Sequence, residues 1–286
     1  MTSLFDTYSP KIMTSPHTNY CEYRPHPFLE PYVCCYWSSE PKAIIDDPNC
    51  TSTIIPDGCT DIIIEYNKLS EECDILHCGI FEDYFTFKED PYSVKKSFGI
   101  RFYPGKFTAF VSHNAKEAAQ RLTGLEDINP SLTRKLREAF YASPNVYELI
   151  QTCDRILISV LKSDVRMIRN ESRLDNLLFR ILSSSGMAAV SDLSEKEVIG
   201  KRRIQRLFDQ HIGMSPKKFS QVIRFQSVLC EWIDRSSSSR LKQPDHLDFY
   251  DQSHFSKDIK KRIGVTPYSL KVSDFYNTEE QTNGTI

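Results

Sequence analysis

The chain of 286 residues contains no run of eighteen uncharged apolar residues, so it offers no transmembrane helix and no membrane partner. Its first thirty residues mix prolines, acids and aromatics. They lack the basic start and apolar stretch of a signal peptide, so a cytoplasmic protein is expected. The nine cysteines are odd in number and include no CxxC pair, which leaves zinc without its usual ligand spacing. No GxSxG elbow, Walker loop or dinucleotide fingerprint occurs. His17, His26 and His77 make no metal-binding pair, and Cys59, which follows a tight turn, has no evident base. These absences weigh against an enzyme, a metal and a cofactor. The cysteines read as reduced, mostly buried thiols, with the adjacent Cys34 and Cys35 on opposite faces of a strand.

Hydrophobic residues make up 40% and charged residues 26%, an ordinary soluble composition, and the length suits two domains. The net charge of −2 hides an asymmetry. Residues 1–112 carry nine Lys/Arg against sixteen Asp/Glu, whereas residues 186–272 carry sixteen against ten. A polyanion is therefore expected to meet the back of the chain, not the front.

Residues 18–112 read mainly as strands: PYVCCYW (31–37), STIIP (52–56), DIIIEY (61–66), ILHCGIF (75–81), YFTFK (84–88) and KSFGIRFY (96–103). Pro56-Asp57-Gly58 is a turn in which proline fixes φ, aspartate bonds its own backbone and glycine accepts positive φ. Such spacing suggests a sandwich or small barrel. Trp37, Phe81, Tyr84, Phe85, Phe87, Phe98 and Phe102 either line a pocket there or fill its core. Residues 113–185 form a helical linker. Its stripe Val146, Leu149, Ile150, Cys153, Ile156, Leu157, Val160, Leu161 packs on its own domain or on a second copy. SSSG (183–186) marks a boundary. Helices resume over 186–272, with RSSSSR (235–240) as a flexible loop, and the polar tail 273–286 is expected to be disordered.

The strongest signal is an internal repeat with an offset of 51 residues. IGMSP (212–216) matches IGVTP (263–267), and Ile204, Arg206 and Phe208 align with Phe255, Lys257 and Ile259. Gly213 and Gly264 suit the left-handed end of a helix, and Ser215 and Thr266 suit an N-cap followed by proline. A short helix near 190–196, a turn at Gly200 and a basic helix from Lys201 make a helix-turn-helix pattern. A longer helix from Pro216 to Ile233 separates the copies. The plain alternative is a set of amphipathic helices in an all-α domain.

KRRIQRLFDQHIGMSPKKFSQVIRFQ (201–226) and FYDQSHFSKDIKKRIGVTPYSLK (249–271) resemble the AraC-type (AraC/XylS) bacterial transcription regulators. PYVCCYW, IIPDGCTDIIIEY and FGIRFYPGKFTAF (98–110) resemble the β-rich N-terminal domain of one branch of that family. The resemblance implies an α+β chain: a cupin-like or small-barrel domain over 1–112, the linker, and a DNA-binding domain with two helix-turn-helix units over 186–272. It implies base readers Arg202, Arg203, Gln205 and Arg206 in the first unit and Gln252, Ser253, His254 and Lys257 in the second. Lys201, Lys217, Lys218, Lys260 and Lys261 would hold phosphates. A structural, hydrogen-bonded role is the alternative for His254. The implied partners are double-stranded promoter DNA and RNA polymerase, with a small-molecule effector and a homodimer mate as further candidates. The chain departs from the family pattern at Val198, where the turn usually has glycine, at Ser194, usually alanine, and at Pro244 and Asp248. An interaction protein that keeps the fold without specific DNA binding is the competing expectation.

Overall fold

A computed structural model of the chain describes residue 5 and residues 8–42, 51–88, 95–163, 168–234, 241 and 252–276, with side chains excepted over 163–172. The loop expected at 235–240, Pro244, Asp248 and residues 277–286 of the expected tail lie outside the described residues; the first residues of that tail, 273–276, are ordered instead, with Phe275 buried and the Tyr276 N–H bonded to the Ile12 carbonyl.

The strands are β1 (Thr18–Tyr23), β2 (Val33–Pro41), β3 (Thr51–Ile54), β4 (Thr60–Asn67), β5 (Cys73–Cys78), β6 (Phe85–Lys88), β7 (Lys95–Phe102) and β8 (Leu122–Gly124). Six of them form an antiparallel sheet in the order β1-β2-β7-β4-β5-β8, and β3 pairs with β6 in a second, two-stranded sheet. Each alternating run of the sequence is thus a strand. The Pro56-Asp57-Gly58 turn does not join its flanking strands into a hairpin; it passes the chain from the small sheet to the large one. Gly58 takes φ +76°, and the Asp57 carboxylate accepts from the Cys59 N–H at 2.9 Å, as the turn chemistry requires.

The helices are α1 (Ala115–Ala118), α2 (Leu125–Ile128), α3 (Pro130–Ala142), α4 (Val146–Ser163), α5 (Ile168–Ser183), α6 (Val190–Lys196), α7 (Lys201–His211), α8 (Pro216–Asp234) and α9 (Gln252–Ile263). The first core joins the sheet to α3 and α4: Tyr36, Ile62, Ile64, Phe98, Ile100 and Phe102 pack with Leu132, Leu136, Leu149, Cys153 and Leu157. The apolar stripe of α4 is therefore covered by the chain's own sheet. Phe98 and Phe102 are buried in this core and Trp37 is buried outside it, whereas Tyr84 and Phe87 are exposed. No described helix is long and apolar enough to cross a membrane.

Beneath this core lies a buried polar cluster. Arg101 faces Asp61 at 3.3 Å, Glu22 at 3.4 Å and Asp57 at 3.5 Å, and the Trp37 indole donates to Asp61 at 2.7 Å. Burial pushes the Asp61 carboxyl up to about 6 against the opposing pull of Arg101. The sheet register shifts between Val33 and Cys35. At this bulge Cys34 drops out of the β2–β7 register, while Cys35 stands opposite Arg101. All eight described cysteines are free thiols.

Two further cores hold the helices. One gathers Leu174, Leu177, Leu178 and Ile181 of α5 with Leu193, Ile204, Leu207, Phe208, Phe219, Val222 and Ile223, and takes Phe5 and Ile80 from the front of the chain. The other packs Phe225, Val228, Leu229, Trp232 and Ile233 of α8 on Phe255, Ile259 and Ile263 of α9, with Ile55 and Phe275. Gln226 is a buried hub of α8. Its amide accepts from the Lys11 N–H at 2.8 Å and donates to the carbonyls of Lys11 (3.1 Å) and Pro56 (2.8 Å).

Candidate nucleic-acid interface

Why α7 presents cations follows from its spacing. Ile204, Leu207 and Phe208 fall on one face and are buried. Lys201, Arg202, Arg203 and Arg206 are left on the exposed side, and none forms an ion pair among the described residues. Gln205 is half-buried, and its amide donates to Asp209 at 2.9 Å, one turn on. The structure thus groups the arginines and turns Gln205 toward its own helix.

The segment before α7 is a short helix and a tight turn. Leu193 of α6 is buried, and the Ser194 hydroxyl donates to the Ile199 carbonyl at 2.7 Å, tying the turn. Val198 sits in the turn at φ +50° and is 92% exposed. A β-branched residue there is strained by roughly 1–2 kcal/mol and gains no packing in return. Val198→Gly is expected to stabilise the protein by about 1 kcal/mol, since part of the relief is offset by the extra unfolded-state freedom of glycine. A urea unfolding curve measures this; an unchanged or lower midpoint would mean that the turn holds no strain.

In α9, Phe255, Ile259 and Ile263 are buried, and Gln252, Ser253, His254, Lys257 and Lys260 are exposed. Lys217 and Lys218 lie exposed in the first turn of α8, where Ser215 Oγ accepts from the Lys218 N–H at 3.3 Å. The second copy of the repeat differs at this point. After Thr266 comes only the 3-10 turn Pro267–Ser269 instead of a long helix.

The repeated glycines share a further property. Gly213 has φ +91° and Gly264 φ +84°, and each is approached by the β-rich part or the segment that follows it. A Cβ on Gly213 would lie 2.7 Å from the Ala115 carbonyl oxygen, and one on Gly264 would lie 2.7 Å from the Tyr84 ring. The two units are thus gripped at equivalent points. Next to the first grip, Lys116 pairs with Asp209 at 3.0 Å. Lys218 and Lys261, two of the expected phosphate ligands, are ion-paired within the chain: both meet Glu82, and Lys261 also meets Asp83.

Between the β-rich part and α7 runs a cleft of about 670 Å³, lined by Lys106, Thr108, His113, Asp175, Arg206 and His211 among others. Lys106 is held by both oxygens of Asp175, at 2.8 and 2.9 Å. The Thr108 hydroxyl donates to the Gly105 carbonyl at 2.9 Å, which makes His211 Nδ1 the donor in its 2.9 Å contact with Thr108. His211 Nε2 is then a bare acceptor with no partner among the described residues. Burial, and next to it Lys106, hold the His211 imidazole below its usual range, so it is neutral at pH 7. Sequence reasoning missed Glu82, Asp83, Arg262 and the cleft.

Residues 21–123 match the family model described as Domain of unknown function (DUF6597), a span that takes in nearly all of the six-stranded sheet. The chain is also similar to an uncharacterized HTH-type transcriptional regulator of Haemophilus influenzae, 25% identical over 116 residues. That match covers 40% of this chain and 39% of the relative's length. No solved structure matches the chain.

Proposed function

We propose that the chain is a sequence-specific DNA-binding transcription regulator whose two helix-turn-helix units, α6–α7 and the one ending in α9, read successive major-groove segments of promoter DNA. The observation that carries this is the repeat. Two helices at equivalent positions each bury one apolar face and leave a cationic face with no ion pair among the described residues at Lys201, Arg202, Arg203 and Arg206 and at Lys257 and Lys260. Arginine recognises guanine bidentately, and Gln252 has the chemistry for adenine. Lysines at the start of α8 add to the positive end of that helix, where a phosphate is favoured. The 19 residues of α8 span roughly 28 Å, close to the ~34 Å turn of DNA. The resemblance to AraC-type regulators and the similarity to an HTH-type regulator point the same way.

On this reading the protein is not an enzyme. It acts in the cytoplasm with RNA polymerase, and a small-molecule effector bound by the β-rich N-terminal domain controls it. The test is selection of binding sites from a random duplex library by the full chain, followed by a salt series. Enrichment of one motif, bound at least a hundredfold more tightly than unrelated duplex, is the expected result. Equal, salt-sensitive binding to every sequence would favour the interaction protein that lacks specific recognition.

A further inference from the structure

The turn between β5 and β6 carries acids into the helical part. Glu82 Oε2 lies 2.6 Å from Lys218 Nζ, and Oε1 lies 3.6 Å from Lys261 Nζ. Asp83 Oδ1 is 3.4 Å from the same Lys261. The placement is built, not incidental. Arg262, which is 1% exposed, donates from Nη1 to the Glu82 carbonyl at 2.8 Å. The Glu82 N–H donates to Gln120 Oε1 at 3.3 Å, and Tyr84 packs on Gly264. Burial alone pushes the Glu82 carboxyl up, but Lys218, Lys261 and Arg262 outweigh it and keep the group below its usual range, hence ionised.

Lys218 stands in the first turn of α8 and Lys261 in the last turn of α9, so one acidic turn ties the helix that follows the first unit to the last helix of the second. A carboxylate offers these lysines what a phosphodiester offers: a single negative charge shared by two acceptor oxygens. We propose that Glu82 and Asp83 are an internal stand-in for DNA phosphate. In the DNA-free protein they occupy Lys218 and Lys261, and a docking duplex must displace them to gain those contacts. Lys201, Arg202 and Arg203 stay open for the first encounter, while the α8 and α9 lysines are surrendered only to a strand that reaches the turn. The β-rich part thereby sets the affinity of the helical part. The proposal rests on the DNA-binding reading above.

The test is the double variant Glu82→Gln/Asp83→Asn, measured by fluorescence anisotropy on the selected duplex and on an unrelated one. The control is Glu40→Gln/Glu65→Gln, the same charge change at carboxylates that pair with Lys96 and Lys95. The stand-in predicts about tenfold tighter binding for the first variant on both duplexes and under twofold change for the control. It also predicts a salt dependence steeper by up to about 1.8 in log–log slope, roughly 0.9 for each phosphate newly neutralised. Adding Lys218→Gln/Lys261→Gln must abolish the gain. A purely structural strut gives the opposite sign, because loosening α9 weakens binding. Unchanged or weaker binding, or a gain that survives loss of the two lysines, overturns the stand-in while leaving DNA binding intact. If neither the wild type nor the variant holds any duplex, the DNA-binding reading and the stand-in fall together.

Discussion

Replacing both Arg202 and Arg206 with alanine is expected to abolish discrimination between the selected duplex and an unrelated one, while weak, salt-dependent binding survives. Each well-placed arginine–guanine pair contributes about 1–3 kcal/mol of discrimination, so losing two amounts to roughly a hundredfold or more. The two arginines lie one helical turn apart on the exposed side of α7, with no ion pair among the described residues, so their removal leaves no buried charge behind there. Unfolding by urea should be near normal, which separates lost recognition from lost structure. Lys257→Ala, at the position equivalent to Arg206, is expected to weaken binding by a smaller factor, and a null effect there would mean that only the first unit reads sequence. If the double variant keeps full discrimination, α7 is not the reading helix.

A larger effect on stability is expected for Gly186→Ala. Gly186 follows α5 at φ +76°, where an alanine is strained by roughly 1–2 kcal/mol. Its Cβ would also lie 2.1 Å from the Ser220 carbonyl oxygen and 2.7 Å from the Arg224 nitrogen, both backbone atoms of α8. Backbone cannot swing aside as a side chain does, so the end of α5 must lift from α8, at a further cost of about 1–3 kcal/mol. The sum, near 3–4 kcal/mol, is a large fraction of the total for a typical domain. Gly200→Ala is the contrast: nothing lies within 4 Å of its Cβ, and φ is −64°. The urea midpoint of the first variant should fall far below that of the second. Equal midpoints would mean that α5 and α8 do not touch as closely as described.

Local chemistry made much of this legible from the sequence. Alternation gave the strand runs, Ser215-Pro216 the start of α8, and the repeated Ile-Gly the ends of α7 and α9. What stayed hidden is what depends on distant partners. The turn at Pro56-Asp57-Gly58 is legible, but not that the strands on either side of it pair elsewhere, because register is set by the faces to be buried. The Cys34 bulge has no local signature. Gln205 was closer to legible: an aspartate one turn on captures its amide, a pattern visible at the four-residue spacing. Lys218 and Lys261 read as phosphate ligands, since nothing near them in the sequence announces that Glu82 and Asp83 arrive from the turn between β5 and β6.

The two ends of the described chain close on each other. Met13 bridges to Phe275, the Tyr276 N–H donates to the Ile12 carbonyl at 3.0 Å, and the Tyr276 ring stands edge-on to Tyr20 at 4.9 Å. During synthesis the segment leading into β1 therefore emerges well before its mate at residues 275–276 and waits for it. The β-rich part must hold together with that seam open until residue 276 emerges, and the α8–α9 core stays one aromatic short for the same interval. Shortening the chain at residue 270 would leave β1 uncovered, a defect at the front caused by a cut at the back.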